Sequence, residues 1–185
     1  MSEKIPRISA EQMPPPLASF LAPRVKRLGY LGEFFQCTAH QPEALLSFLQ
    51  FTEHLKHALP DNLTETVALS VARLMENAYE HVQHERLAIK LGFAQAWIDE
   101  VVSLGSNGYQ LLSSQEQVVQ KLVVSAAQRG GRNTAEELEA VIGAIGPAQA
   151  IAVLMLIGRY MSHALIVNAL ELAPPPVVRR RDNGV

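Results

Sequence analysis

Between Glu76 and Glu85 the chain reads Glu-Asn-Ala-Tyr-Glu-His-Val-Gln-His-Glu. On a helix, Glu76, Glu80 and His84 recur every fourth residue and share one face. Asn77 lies one turn before His81, and Glu80 one turn before His84. A carboxylate one turn from an imidazole orients the ring and, when sheltered from water, strengthens its hold on a proton. That arrangement suits a general acid or base near neutral pH. The same pair on an exposed helix is a weak ion pair worth a few tenths of a kcal/mol. Glu65 also has two readings. It can polarise His84, or it can close a capping box opened by Asn62, satisfying backbone donors in a motif worth about 1 kcal/mol.

His81 and His84 are three apart, a spacing that can chelate a metal on a helix, and His54 and His57 repeat it. Zinc or iron needs further ligands, and neither Glu-x-x-His nor His-Glu-x-x-His occurs in the chain. No metal is expected, and His54 and His57 read as solvent-facing. There is no phosphate-cradling glycine loop, nucleophile elbow or dinucleotide fingerprint, so no cofactor is expected either. Tyr160 and His163 are also three apart. They can face a pocket or a subunit contact, but a core histidine bonded to backbone or tyrosine is the simpler reading. Cys37 is the only cysteine, which leaves no pair for a disulfide or a dithiol cycle.

The elements that must hold these residues are helices. From Val25 onward apolar residues recur at helical spacing, with no period-two alternation. Pro42 sits at a helix start, followed by Ala44, Leu45, Phe48, Leu49 and Leu55. Pro60 breaks the chain, and Asn62 with Glu65 predicts the next start. Gly92 predicts a stop. A short helix follows from about Gln95 to Leu104, then a loop at Gly105 to Gly108. Ser113 with Glu116, and Thr134 with Glu137, predict two more capping boxes. Pro147 opens a long apolar helix to about Leu172, which reads as buried in the core or in an oligomer interface. Its longest apolar run, Ala148 to Ile157, is too short to span a bilayer. Residues 1–23 carry five prolines and read as an extended arm, residues 24–172 as one helical domain, and residues 173–185 as a disordered tail. A chain of 185 residues with 48% hydrophobic and 18% charged residues buries one sizeable core and leaves apolar surface for self-association. A net charge of −2 gives no case for nucleic acid, and Arg179, Arg180 and Arg181 fall in the tail. The start shows no signal peptide, so a cytoplasmic protein is expected.

At this point the motif segment resembles the carboxymuconolactone decarboxylase and alkylhydroperoxidase-D-like superfamily. Its peroxidase branch carries Cys-x-x-Cys-x-x-x-His on one helix and a glutamate on the helix before. Here Asn77 and Glu80 stand at the cysteine positions, His84 at the histidine, and Glu65 twelve residues before Asn77. The cysteine-free, decarboxylase-like branch commonly reads Tyr-Glu-Trp-x-x-His, and this chain reads Tyr79, Glu80, His81, Val82, Gln83, His84. Leu112, Ser113, Gln115, Glu116 and Val118 are similar to the family's next helix start. Leu156 to Tyr160 with Asn168 and Ala169 are similar to its terminal helix, and Arg27 to Tyr30 through Pro42 and Glu43 to its lead-in.

The resemblance implies an all-α, AhpD-like bundle of about six to eight helices, assembled as a homo-oligomer, trimer or hexamer, with pockets near subunit contacts. It implies a break between the Glu65 and His84 helices, at a place where the sequence has no glycine or proline. It also implies a small-molecule substrate and no membrane partner. His84 would be acid or base, polarised by Glu80 or Glu65, on a carboxylated or lactone-like molecule. Asn77, Tyr79 and His81 would line the pocket, and Arg73 would meet a substrate carboxylate, Arg86 and Lys90 being the other cations of that stretch. The alternatives are a non-catalytic oligomer whose Glu65, Glu80 and His84 form a packing network, and a peroxide defence resting on Cys37 alone.

Overall fold

The computed structural model describes residues 5–174. Most of the expected tail, including Arg179 to Arg181, lies outside the described residues. Eight α-helices and no strand occur among them: α1 (Pro15–Leu28), α2 (Glu33–Thr38), α3 (Pro42–Ala58), α4 (Asp61–Leu74), α5 (Ala78–Leu91), α6 (Gln95–Val102), α7 (Ser114–Arg129) and α8 (Ala135–Leu170).

The centre is α4. Every residue from Leu63 to Ala72 is buried, with α5, α7 and α8 packed around it. One apolar cluster joins α4, α7 and α8 through Leu63, Val67, Leu122, Val153 and Leu156. A second joins α1, α2 and α3 to the end of α8 through Leu17, Phe34, Leu49 and Val167. Each such side chain contributes roughly 1.5–3 kcal/mol by leaving water. Both clusters draw on α3 and α8, and Glu80 of α5 is bonded to Arg159 of α8, which also reaches Thr52 of α3.

Several expected boundaries hold. Pro42 opens α3, Gly92 closes α5 in a left-handed conformation, and Ser113 with Glu116 forms a complete capping box on α7. Others are corrected. The expected extended arm is helical from Pro15, because prolines at the first two helical positions lack only N–H groups that the helix does not use. Pro23 then forgoes one interior bond within α1. Asn62 and Glu65 do not form a capping box. The helix begins one residue before Asn62, which donates instead to Glu116 on α7 at 3.1 Å. Thr134 donates to the Gly131 carbonyl and Glu137 accepts from Ser125, so the third box is absent as well. The expected stop near Gly146 and start at Pro147 do hold: Gly146 is non-helical (φ 79°, ψ 164°) and divides α8 into two helical arms across a kink. Arg159, expected to interrupt the apolar stretch, turns its side chain inward. By length and composition α8 is apolar enough to cross a membrane. Its inward face fills the core. Ile151, Met155 and Leu165 remain exposed along its outer side.

The Gly146 backbone lies in a region essentially reserved for glycine. A Cβ there would meet nothing within 4 Å, so the cost of adding one is conformational only. Gly146→Ala is expected to lower unfolding free energy by about 1–3 kcal/mol in urea titration. An unchanged midpoint would show that the bend relaxes freely.

Candidate functional site

The break between α4 and α5 makes the site. Nineteen residues separate Glu65 from His84. In one unbroken helix they would stand about 28 Å apart. Glu76 takes a left-handed conformation (φ 50°), and buried Asn77 then caps α5, its Oδ1 accepting from the Glu80 N–H at 3.1 Å. The chain folds back, and His84 Nδ1 reaches Oε2 of Glu65 at 2.7 Å. Glu65 is 2% exposed, and a carboxylate can only accept, so this contact keeps a proton on Nδ1 and leaves Nε2 as the working atom. Nε2 lies 3.5 Å from Oε2 of Glu80.

Glu80 is the hub. Its Oε1 accepts from Arg159 Nη1 at 3.0 Å and lies 3.2 Å from His163 Nε2. Burial works against its charge, but His163, Arg159 and His84 outweigh that cost and hold the carboxyl well below the usual carboxylate range. Burial pushes His163 down to about 4, against the pull of Glu80 and with Arg159 adding to the push. At neutral pH His163 is therefore uncharged, and its Nε2–H serves Glu80 as a hydrogen-bond donor. Arg159 carries the compensating charge. Its Nε donates to Thr52 at 3.0 Å, and its guanidinium lies over the Tyr160 ring at 4.3 Å and the Phe48 ring at 5.0 Å. Phe34 stacks on His163 at 3.9 Å, and Tyr160 meets His84 edge-on at 5.1 Å. The imidazoles are thus fixed by packing as well as by charge.

This network is not sealed. A cleft of about 110 Å³ is lined by Tyr79, Glu80, His84, Arg159 and His163, with Glu65 behind them. Arg24, Arg27 and Lys56 also line it. Arg24 pairs with Glu53 at 2.7 Å. Burial lowers the Lys56 ammonium, opposed by Glu65. Of the four lining cations Arg159 pairs with Glu80 and Arg24 with Glu53, which leaves Arg27 and Lys56 as the charges of the cleft that could meet an anion.

The structure brings together Glu65, Glu80, His84 and Tyr79 of the residues expected from sequence. Tyr79 is buried, its hydroxyl against Gly32, where a Cβ would lie 2.5 Å away. Asn77, His81 and Arg73 do not reach the cleft. They border a different groove with Glu76 and Val102, and Arg73 is exposed. The reason is helical phase: His81 is turned about 100° from Glu80. Arg159, Thr52 and Lys56 were not expected. His163, for which a core histidine bonded to backbone or tyrosine was the simpler reading, takes the other one: it lines the cleft and meets Glu80. An arginine inside a long, mostly apolar helix was the signal that could have found Arg159. His54 and His57 are exposed, and Cys37 is buried in α2.

Comparison of the sequence with protein-family models and with curated proteins gave no match. Solved structures do match. An alkylhydroperoxidase AhpD core, a peroxidase-related protein from Ralstonia eutropha JMP134, superposes with a TM-score of 0.80 at 12% identity, over 93% of this chain and 92% of that one. The debrominase Bmp8, solved as a cysteine-to-alanine variant in complex with 2,3,4-tribromopyrrole, gives 0.80 at 11% identity over 95% and 93%. A protein of unknown function from Agrobacterium tumefaciens, described as a putative antioxidant defence protein AhpD, gives 0.66 at 14% identity over 75% and 95%. The chain has the AhpD-like helical fold.

The titration of His163 has a measurable sign. An unfolded histidine takes up a proton near 6.5, and folded His163 only near 4. Between these values the unfolded chain binds more protons, so stability is complete above 6.5 and falls as the pH drops towards 4. Glu80, held low, extends the loss to more acid conditions. His163→Gln keeps a donor for Glu80 and removes the titrating ring. Urea unfolding at about pH 7 and about pH 4.5 is expected to show a smaller loss in the variant. Equal losses in both proteins would remove His163 from this role.

Proposed function

We propose that this chain is a cofactor-free acid–base enzyme of the cysteine-free branch of the AhpD-like fold, acting on a small carboxylated or lactone-type molecule. The observation that carries the reading is His84, held by Glu65 through Nδ1 and opening through Nε2 onto a cleft that solvent reaches. A network serving packing alone gains nothing from such an opening or from a surplus of cations beside it.

Arg27, with Lys56, supplies the charge for a substrate carboxylate, the part the sequence had suggested for Arg73. In a decarboxylation the bond from that carboxylate to its neighbouring carbon breaks. Carbon dioxide leaves, and the electron pair passes into a conjugated carbonyl of the substrate. His84 Nε2–H then delivers a proton to the carbon, and the ring regains one from water. His84 is the catalytic residue, and Glu65, acting through it, is a positioning residue. Ionised Glu80, tied to Arg159 and His163, faces Nε2 at 3.5 Å and helps to orient it. A dithiol peroxidase cycle has no place here, since Asn77 and Glu80 occupy the cysteine positions and Cys37 is buried elsewhere.

Release of carbon dioxide from a panel of carboxylated lactones is expected, and His84→Ala is expected to lower it by about 10²- to 10⁴-fold. Turnover of a confirmed substrate that survives His84→Ala would end the proposal. Thiol-dependent peroxide reduction is expected to stay at background.

We also propose that copies of the chain associate through the outer side of α8. Ile151, Met155 and Leu165 recur there at spacings of four and ten residues, all exposed and apolar. Leu165→Glu is expected to lower the mass measured by light scattering while preserving helical content. A monomeric parent protein would overturn this reading.

A further inference from the structure

One lysine differs from the rest. Among the described lysines, Lys26, Lys90 and Lys121 are exposed, and Lys56 is half-buried in the wall of the cleft. It lies on α3 one turn beyond Thr52, so the two share a face, and the Thr52 hydroxyl accepts from Arg159. Three helices therefore build the cleft in pairs. Thr52 and Lys56 come from α3, Glu80 and His84 from α5, and Arg159 and His163 from α8.

Lys56 has acids around it and a bond to none of them. Those whose charge reaches it are Glu65, Glu53 and Glu80. Each is held elsewhere: Glu65 by His84 at 2.7 Å, Glu53 by Arg24 at 2.7 Å, and Glu80 by Arg159 at 3.0 Å. Lys56 itself forms no hydrogen bond or ion pair among the described residues. A lysine drawn out of water without a counter-ion relieves the cost by giving up its proton. Burial pushes the Lys56 ammonium below the ordinary lysine range, Glu65 opposing and Arg159 adding to the push. An amine without its proton, beside a positioned acid, is a nucleophile for a carbonyl carbon.

We propose that Lys56 is a catalytic nucleophile and that the substrate is a short β-keto acid, whose ketone condenses with the Lys56 amine before carbon dioxide leaves. The proposal rests on the function given above for its proton donor, His84, and deepens it by naming the electron sink and the substrate class. The nitrogen lone pair bonds to the carbonyl carbon. One amine proton passes to the oxygen, and a second, from His84 Nε2–H, releases it as water and leaves an iminium. The bond from the carboxylate to its neighbouring carbon then breaks. Carbon dioxide departs, the freed pair forms the carbon–carbon double bond of an enamine, and nitrogen takes back the iminium pair. His84, reprotonated from water, protonates the enamine carbon. Water adds to the restored iminium, the carbon–nitrogen bond breaks, and ketone and free amine separate, the surplus proton returning to His84. The iminium nitrogen is cationic, so Lys56 still stands with Arg27 as a positive charge for the substrate carboxylate. A cleft of about 110 Å³ suits so short an acid.

Borohydride trapping tests this, because it reduces an iminium to a stable amine. The full chain is incubated near neutral pH with levulinate, a γ-keto acid that cannot lose carbon dioxide by this route, then reduced and digested for peptide mass analysis. Lys56 is expected to carry at least about ten-fold more adduct than any other lysine. Acetoacetate is expected to leave an isopropyl group on the same residue. An even spread of label over the exposed lysines, or none on Lys56, would overturn the proposal. The unaltered protein gives that answer, so it does not depend on a variant that folds. Lys56→Arg keeps a cation in the cleft and is expected to lose carbon dioxide release from acetoacetate. The two readings fail separately. Label on Lys56 with no carbon dioxide from any keto or lactone acid removes the decarboxylation and leaves the reactive amine standing. Release that survives both borohydride and Lys56→Arg removes the nucleophile and leaves His84 as the acid.

Discussion

The site rests on one buried negative charge. Glu80 is buried, and there an ionised carboxylate without partners would cost several kcal/mol. Arg159 compensates the charge directly, His163 contributes an N–H, and His84 closes the remaining side. Each partner is itself held: Arg159 by Thr52 and the faces of Tyr160 and Phe48, His163 by Phe34, and His84 by Glu65. Breaking such a pair by deleting one member leaves a lone buried ion and typically costs about 3–5 kcal/mol. The positions of α3, α5 and α8 are therefore coupled through a single carboxyl group.

The same charge decides the kind of chemistry available. In the peroxidase branch that the motif resembles, sulfur stands at the position of Glu80 and can change oxidation state. A carboxylate fixed by an arginine cannot. What it can do is hold the field around His84 constant while protons move, which is preorganisation in the usual electrostatic sense. The helix cap shows the second half of the exchange. Asn77 occupies the other cysteine position and spends its side chain on the backbone of α5. The fold is AhpD-like, and at the two positions where the resembled motif carries cysteine stand a fixed charge and a structural cap.

Local patterns in the sequence were informative where the structure is local. The spacing of Glu80 and His84, the box at Ser113 and Glu116, and the stops and starts at Gly92 and Pro42 all depend on residues within a turn or two of each other. The contact between Glu65 and His84 depends on a turn built with Glu76 in a left-handed conformation, which no glycine announces. The two absent capping boxes have a common cause: Glu65 and Glu137 found partners on other helices, and a tertiary bond replaced the local one. Arg73 and His81 were misplaced because proximity along the chain is not a shared face. Arg159 was hidden by distance, and by an apolar helix in which a single arginine reads as an interruption; His163 stood out by its spacing, but its partner Glu80, far away in sequence, did not.

Sequence separation in the site has a further consequence for how the molecule comes into being. The bonds to Glu80 and Thr52 from Arg159 close loops of 79 and 107 residues, whereas the bond from Glu65 to His84 closes one of 19. The hairpin of α4 and α5 can form early, because short loops close at lower entropic cost. At that stage Glu80 has no arginine and no second imidazole, and water must solvate it. Only the arrival of α8, the last helix among the described residues, both covers the core and neutralises the carboxylate. A ribosome-bound or clipped chain lacking that helix would carry the motif intact and still leave Glu80 without its arginine. Maturation of the fold and neutralisation of its buried charge are in that sense one event.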